Sequence, residues 1–327
     1  MIEFLASVIK FSTVFLFGAT GEIINQKSGH LNMGTPGIVF LGGLGGIIGE
    51  RIYIMSIPET APLNPFMIVF MPILFAVIFG AVAGFIFSFF TVTLHCNQNV
   101  TGLTLTTLSV GIACFFMSTK FIPTDRMSDA GSLLQNAFTW YGNLGWFGQI
   151  FLSQSWFTYL AIIVAIVTAV VLAKTKVGLN LRAVGENAAA ADSAGINVNA
   201  YRYVATIIGG AISAIGGAFY EMDKAAGLWS SGVLIDEYGW LALCIVIFAM
   251  WKPIIAIFAS FGFAALAVLP DYLSAAGYLK GMPYMFFILK LLPYVATLAV
   301  LIATSIINSK RAQPPANLGQ TYFREDR

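Results

Sequence analysis

The chain has 327 residues, 58% of them hydrophobic and only 10% charged, whereas soluble domains carry roughly a quarter charged residues. That balance excludes an ordinary soluble enzyme and describes an integral membrane protein. A formal net charge of +2, with the basic residues scattered, offers no stripe to a nucleic-acid backbone, so nucleic acid is excluded as a partner.

A helix needs about 17 to 25 mainly apolar residues to cross the hydrocarbon core, and only a helix or a closed barrel satisfies its backbone there. In chain order the sequence predicts about nine such helices, near 3–24, 36–56, 66–90, 102–119, 155–173, 203–220, 237–251, 254–270 and 287–308. The first holds Lys10 within its apolar run and has no small-residue cleavage pattern before Gly21, so it reads as a retained span. The runs lack the alternation of barrel strands. The predicted fold is an all-α, polytopic transmembrane helix bundle.

Lysine and arginine in the connections set the orientation. Lys174, Lys176, Arg182 and Arg202 lie in the loop 174–202, and Lys310, Arg311, Arg324 and Arg327 in the tail. Both are therefore expected in the cytoplasm, which with nine spans puts the N-terminus outside. Acids collect in the opposite connections: Glu59, Asp125, Asp129, Glu221, Asp223, Asp236, Glu237 and Asp271. The domain reading is a transmembrane unit over 1–308, with 174–202 as a cytoplasmic loop, and a cytoplasmic tail over 309–327. Cys96, Cys114 and Cys244 are odd in number, far apart and set in or beside apolar segments, which fits neither a disulfide framework nor a zinc site.

Glycines recur at helix-face spacing: Gly42 with Gly46, Gly45 with Gly49, Gly80 with Gly84, and later Gly209, Ser213 and Gly217. Small residues four apart let helix backbones approach in a bilayer, where apolar side chains gain nothing by leaving lipid for one another. These faces predict close helix packing.

Polar groups interrupt the apolar pattern in several places. Between the first two spans stands "GEIINQKSGHLNMGTPGIVFLGG" from Gly21 to Gly43, with Glu22, Asn25, Lys27, His30 and Asn32. It is either a broken segment beside a solute path or an ordinary cytoplasmic turn. A second interruption, "GLWSSGVLIDEYGW" from Gly227 to Trp240, falls on the opposite side, the relation expected of an inverted repeat. A third, "HCNQNVTG" from His95 to Gly102, carries amides without a carboxylate, groups that suit the hydroxyls and ring nitrogens of a neutral solute.

The longest polar stretch, "KTKVGLNLRAVGENAAAADSAGINVNAYRYVATIIGG" from Lys174 to Gly210, predicts a short helix capped by Asn187 and ended by Gly195. That helix either docks into another protein or is a structural loop helix. Almost every acid lies at a span end or in a connection, which argues against an ion-coupled secondary transporter. Neither an H-E-x-x-H pattern nor a serine or aspartate pairing points to intramembrane catalysis, so no catalytic residue and no metal ligand is expected.

The first interruption, "KVGLNLRAVGENAAAADSAGINVNAYRY", and "LPYVATLAVLI" with the tail "AQPPANLGQTYFRED" together resemble the permease subunits of bacterial ATP-binding-cassette importers for simple sugars, branched-chain amino acids and nucleosides. Gly21-Glu22 before Ser28-Gly29, Asn32, and the tail pattern of Pro315, Leu318, Gly319 and Tyr322 are most similar to the nucleoside branch, with the simple-sugar permeases as the alternative. The resemblance implies a bacterial inner-membrane location, a second permease subunit of a different chain, an ATPase that uses the ATP, and a substrate-binding lipoprotein. It implies no cofactor held by this chain. The coupling segment that meets the ATPase is then expected around Arg182, Glu186, Asn187, Asp192 and Gly195. The solute pathway is expected around Glu22, Asn25, Ser28, Asn32, Asn97, Asn99 and Trp240, where amides can pair with ribose or base edges and an indole can stack.

Overall fold

The computed structural model describes residues 1–58, 61–118, 145–224, 232–280, 282–307 and 313–323. Among them there is no strand, and eight helices are long and apolar enough to cross a membrane. In order the helices are α1 (Ile2–Lys27), α2 (Thr35–Met55), α3 (Pro65–Ser88), α4 (Gln98–Ser118), α5 (Trp156–Lys174), α6 (Lys176–Glu186) and α7 (Ala188–Ser193). Then follow α8 (Val198–Phe219), α9 (Gly232–Phe248), α10 (Pro253–Ala275), α11 (Pro283–Lys290) and α12 (Leu292–Ile307). The last two together supply one span, Tyr284–Ala303, and α9 contributes a shorter apolar helix, Tyr238–Phe248. Every predicted span thus has its helix. The 26 residues of α1 make a rod of about 39 Å, longer than the ~30 Å hydrocarbon core.

Local chemistry sets the boundaries. Asn64 accepts from Phe66 N at 3.0 Å and is followed by Pro65, which starts α3. Asn197 accepts from Ala200 N at 3.1 Å, so α8 begins at Val198, earlier than apolarity alone indicates. At the other end of α8 the chain continues into a π-helical turn, Tyr220–Lys224. Glu221 and Asp223, which the sequence pattern assigns to an outer connection, are buried in that turn. Asp223 pairs with Lys10 of α1 at 2.9 Å, which compensates a charge that burial would otherwise make costly. Glu22 and Glu50 are also buried, on α1 and α2, so the acids are less peripheral than the sequence implies.

The core is organised around α8, which packs along α1, α2 and α3. Small residues make this possible. A Cβ on Gly42 would run into the Ala214 carbonyl, one on Gly46 would lie 2.8 Å from Ala218 Cβ, and one on Gly217 would overlap the Val39 carbonyl. The pairs Gly42–Ala214 and Gly46–Ala218 advance in step along α2 and α8, so these helices run parallel with backbones touching. The predicted glycine faces are the packing seams. Large side chains such as Phe15, Phe17, Phe40, Phe87 and Phe219 fill the remaining interior.

One end of the bundle gathers the loop 28–34, the α3–α4 connection, the segment 175–197, the α9–α10 turn and the tail residues 313–323. This is the end to which the lysine and arginine distribution assigns the cytoplasm. Much of the second polar interruption, the predicted outer residues Glu59, Asp125 and Asp129, and the tail cations Lys310, Arg311, Arg324 and Arg327 lie outside the described residues.

Candidate functional site

At that end α1 stops because Ser28 Oγ donates to Asn25 O at 2.6 Å and Gly29 turns the chain with φ +87. The polar residues around this stop form a buried knot. Glu22 Oε1 accepts from Gln26 Nε2 at 2.9 Å and from Asn32 N at 3.4 Å. Its Oε2 accepts from Thr35 Oγ1 at 2.7 Å and Asn25 Nδ2 at 3.2 Å. One carboxylate therefore ties the end of α1 to the start of α2.

The knot reaches further. Asn25 Oδ1 accepts from Thr206 Oγ1 of α8 at 2.8 Å, and Gln26 Oε1 accepts from Trp251 Nε1 in the α9–α10 turn at 2.6 Å. Met250 and Trp251 have φ of 50 and 55, a left-handed conformation unfavourable for large side chains, and the indole bond helps hold it. His30 Nδ1 lies 3.1 Å from Thr206 Oγ1. Burial, then the nearby Arg202 guanidinium, hold the His30 imidazole well below its ordinary value, leaving it neutral.

The structure thus brings Glu22, Asn25, Ser28 and Asn32 together, all buried. Asn32 Oδ1 is occupied by Gly34 N at 2.8 Å. Asn97 and Asn99 stand apart from them, exposed at the start of α4, where Asn97 Oδ1 accepts from Asn99 N at 3.0 Å as a helix cap. Trp240 is half-buried on α9.

The coupling candidates occupy α6, α7 and their flanks. Thr175 caps α6 by accepting from Gly178 N at 3.1 Å, and Asn187 caps α7 by accepting from Ala190 N at 2.9 Å. Gly195, at φ +83, turns the chain back into α8. A Cβ on Gly185 would strike the Lys27 carbonyl, so α6 rests directly on the end of α1. Val184, Ala188, Ala191 and Val198 form a small core beneath α7. Arg182 is half-buried and Glu186 exposed.

Sequence reasoning did not anticipate where the tail goes. It lies across the coupling segment: Ala316 N donates to Glu186 Oε2 at 3.3 Å, Asn317 N to Gly185 O at 3.0 Å, and Gly319 N to Gly29 O at 3.0 Å. Gln98 donates to Gln320 O at 3.4 Å, and Tyr322 OH donates to Asp192 Oδ2 at 2.9 Å. The Phe323 ring stacks at a tilt on His95, centroids 4.6 Å apart.

Sequence reasoning also passed over the outward face of α4. Along Pro65–Ser88 and 156–173 every exposed residue beyond the capping position is apolar, as contact with lipid requires. On α4 the exposed residues include Thr104, Thr107, Gly111 and Cys114, at alternating spacings of three and four that place them on one stripe. That spacing was legible in the sequence.

Residues 4–303 match the family described as branched-chain amino acid transport system, permease component. The chain is 31% identical to the nucleoside ABC transporter permease protein NupC of Lactococcus lactis, over 98% of this chain and 96% of NupC. It is 27% identical to the guanosine ABC transporter permease protein NupQ of Bacillus subtilis, over 98% and 96%. It is 29% identical to the putative glucose ABC transporter permease protein TsgC13 of Haloferax volcanii, over 98% and 97%. No solved structure matches the chain. With a match running from the first turn of α1 into α12, this multi-pass membrane protein belongs to the family of branched-chain amino acid transport permease components.

Proposed function

We propose that the chain is the permease subunit of an ATP-driven importer of nucleosides, purine nucleosides foremost, in a bacterial inner membrane. The observation that carries this is the end-to-end likeness to NupC, 31% identical over 98% of the chain, together with the likeness to a guanosine permease. The sequence has no G-x-x-x-x-G-K-[ST] phosphate loop, so ATP is assigned to a partner ATPase and no chemistry to this subunit. A second permease chain and a substrate-binding lipoprotein complete the proposed assembly.

In this reading α6 and α7 receive the motion of the ATPase. Their contact with the end of α1 at Gly185, and with the tail, gives that motion a rigid route into the bundle. The outward face of α4 is taken to border the solute path: Thr104 and Thr107 donate to Val100 O and Leu103 O and still offer their hydroxyl oxygens as acceptors to water or solute, where the exposed faces of α3 and α5 offer only apolar groups. Asn97 and Asn99 stand at its mouth and Trp240 is the stacking candidate. Glu22, Asn25, Ser28 and Asn32 act on the path by fixing the loop 28–34: Glu22 holds the Asn25 side chain and the Asn32 N–H, Ser28 Oγ is bonded to Asn25 O, and Asn32 Oδ1 to Gly34 N.

The likeness to TsgC13 supports the sugar reading as the second choice. Uptake by the whole assembly, competed by adenosine, guanosine, uridine, ribose and glucose, separates the two. Competition by the purine nucleosides is expected; competition by a free sugar with none by any nucleoside overturns the proposal.

A further inference from the structure

Helices α5 and α8 do not close on each other over their whole length. Between them, with α6 folded across one end, lies a groove of about 620 Å³, within the roughly 300–1,000 Å³ of ligand sites. Leu181 and Ala205 are buried in its floor, and its rim is formed by Ile163, Val167 and Val171 of α5 and Val204 and Ile208 of α8, all exposed. The groove presents almost no polar surface. From Ile163 to Val171 it follows α5 for about 12 Å, close to the depth of one leaflet of a ~30 Å hydrocarbon core.

The corner between α5 and α6 shapes its polar end. A Cβ on Gly178 would strike the Val171 carbonyl, so α6 folds tightly back on α5. Asn180 Nδ2 of α6 donates to Tyr201 OH of α8 at 2.9 Å, which satisfies the phenol of a ring that lines the groove. Lys174 and Lys176 stand exposed on either side of the corner, and among the described residues neither has a carboxylate within 4 Å. This is the end assigned to the cytoplasm.

Shape and charge together select what fills the groove. Helix seams in a bilayer are lined by small residues that let backbones meet, as at Gly42 and Gly217. The rim here is built of valine and isoleucine, which hold a facing helix, about 10 Å across, away from the floor. A thin, flexible hydrocarbon chain reaches it. At the cytoplasmic surface, lysines without acids of their own attract anionic headgroups.

We infer that the groove holds an acyl chain of an anionic phospholipid from the cytoplasmic leaflet, with the headgroup phosphate against Lys174 and Lys176. The lipid joins α5, α6 and α8 at the corner where α6, the helix that carries Arg182 and Glu186, begins. It does so whichever solute the importer carries.

The test is native mass spectrometry of the assembled permease pair, stripped of lipid and titrated with dioleoyl phosphatidylglycerol or dioleoyl phosphatidylcholine. Phosphatidylglycerol is expected to bind about tenfold or more tightly, the scale of two lysines near a charged headgroup, and Lys174→Gln combined with Lys176→Gln removes that preference. Val167→Trp and Val204→Trp fill the groove and weaken both lipids severalfold, whereas Ile166→Trp, exposed on α5 but outside the groove, leaves both unchanged. Amide hydrogen exchange of the wild type gives a second reading that needs no variant: phosphatidylglycerol slows exchange over 175–186 more than phosphatidylcholine does. That reading decides the matter if a groove tryptophan lowers the melting temperature of the pair. Groove tryptophans that bind both lipids as the wild type does, a lysine double variant that keeps the preference, or exchange over 175–186 indifferent to the lipid each overturn the proposal. Dissociation of the permease pair by Val167→Trp overturns it as well, because the groove is then a seam between subunits.

Discussion

The indole Nε1 of Trp251 donates to Gln26 Oε1 at 2.6 Å, joining residues 225 positions apart. Both are buried, and Gln26 in turn donates to Glu22. The bond therefore locks the left-handed turn at Met250 and Trp251 to the polar knot at the end of α1. Trp251→Phe keeps most of the ring volume and leaves Gln26 Oε1 without its donor. A buried acceptor stranded in this way costs about 1–3 kcal/mol. The expected result is a lower melting temperature in detergent, with a smaller loss when Gln26→Leu is combined with Trp251→Phe than the two single losses add up to. Additive losses would show that the residues are not coupled.

Glycine substitutions separate packing seams from open helix faces. Gly217→Ala puts a methyl group into the Val39 carbonyl, backbone that cannot move without parting α2 from α8. Overpacking of this kind costs roughly 1–3 kcal/mol or more. Gly262→Ala on α10 meets nothing within 4 Å and gains helix propensity of up to about 1 kcal/mol. The first variant is expected to cut the yield of monodisperse protein severalfold, and the second to match or exceed wild type. Fluorescence-detected size-exclusion chromatography measures both.

The spans were legible in the sequence because length and apolarity are local properties, and crossing a bilayer demands both. The α7 caps were legible for the same reason: Asn187 and Gly195 act on their own neighbours. The knot was half legible. Glu22, Asn25 and Gln26 stand three and four apart and so share a helix face, but nothing in that spacing points to Thr206 or Trp251. Nor does a polar cluster between spans declare whether its members face a cavity or one another, since either arrangement satisfies their hydrogen bonds. The tail illustrates the other limit: Pro315, Leu318, Gly319 and Tyr322 form a motif, yet Gly319 reaches Gly29, and its neighbour Asn317 reaches Gly185, through backbone N–H groups. Such groups are present in every non-proline residue and leave no compositional signal.

His30 gives the folded protein a pH dependence with a definite sign. Its folded-state value lies well below the ordinary one because of burial and then Arg202. Above the unfolded value, near pH 6.5, both states are neutral and the residue has no effect. As pH falls below that point the unfolded chain takes up a proton that the folded chain refuses, so stability declines by up to about 1.4 kcal/mol per pH unit. Melting temperatures between pH 7 and pH 5 should therefore fall less steeply in His30→Gln than in wild type. Parallel curves would assign the acid sensitivity to other groups.

Cysteine accessibility tests the face of α4. After Cys96, Cys114 and Cys244 are replaced by alanine, single cysteines are placed at Thr104, Thr107 and Gly111 on α4, and at Ile163, Val167 and Val170 on α5. All of these positions are exposed on the surface of the chain, so shielding within the subunit does not distinguish them. What distinguishes them is the medium outside, because a charged methanethiosulfonate reagent reacts with the thiolate and a thiol ionises far more readily in water than in lipid. In membranes containing the whole assembly, the α4 positions are expected to react at least about tenfold faster than the α5 positions, which corresponds to a difference of one pK unit or more in thiol ionisation. Addition of nucleoside with the binding protein should slow the α4 reactions and leave those of α5 unchanged. Equal, slow labelling on both helices would place α4 against lipid or in a dry subunit contact and move the solute path elsewhere. Fast α4 labelling unaffected by any nucleoside would keep the water-filled face and remove the solute from it.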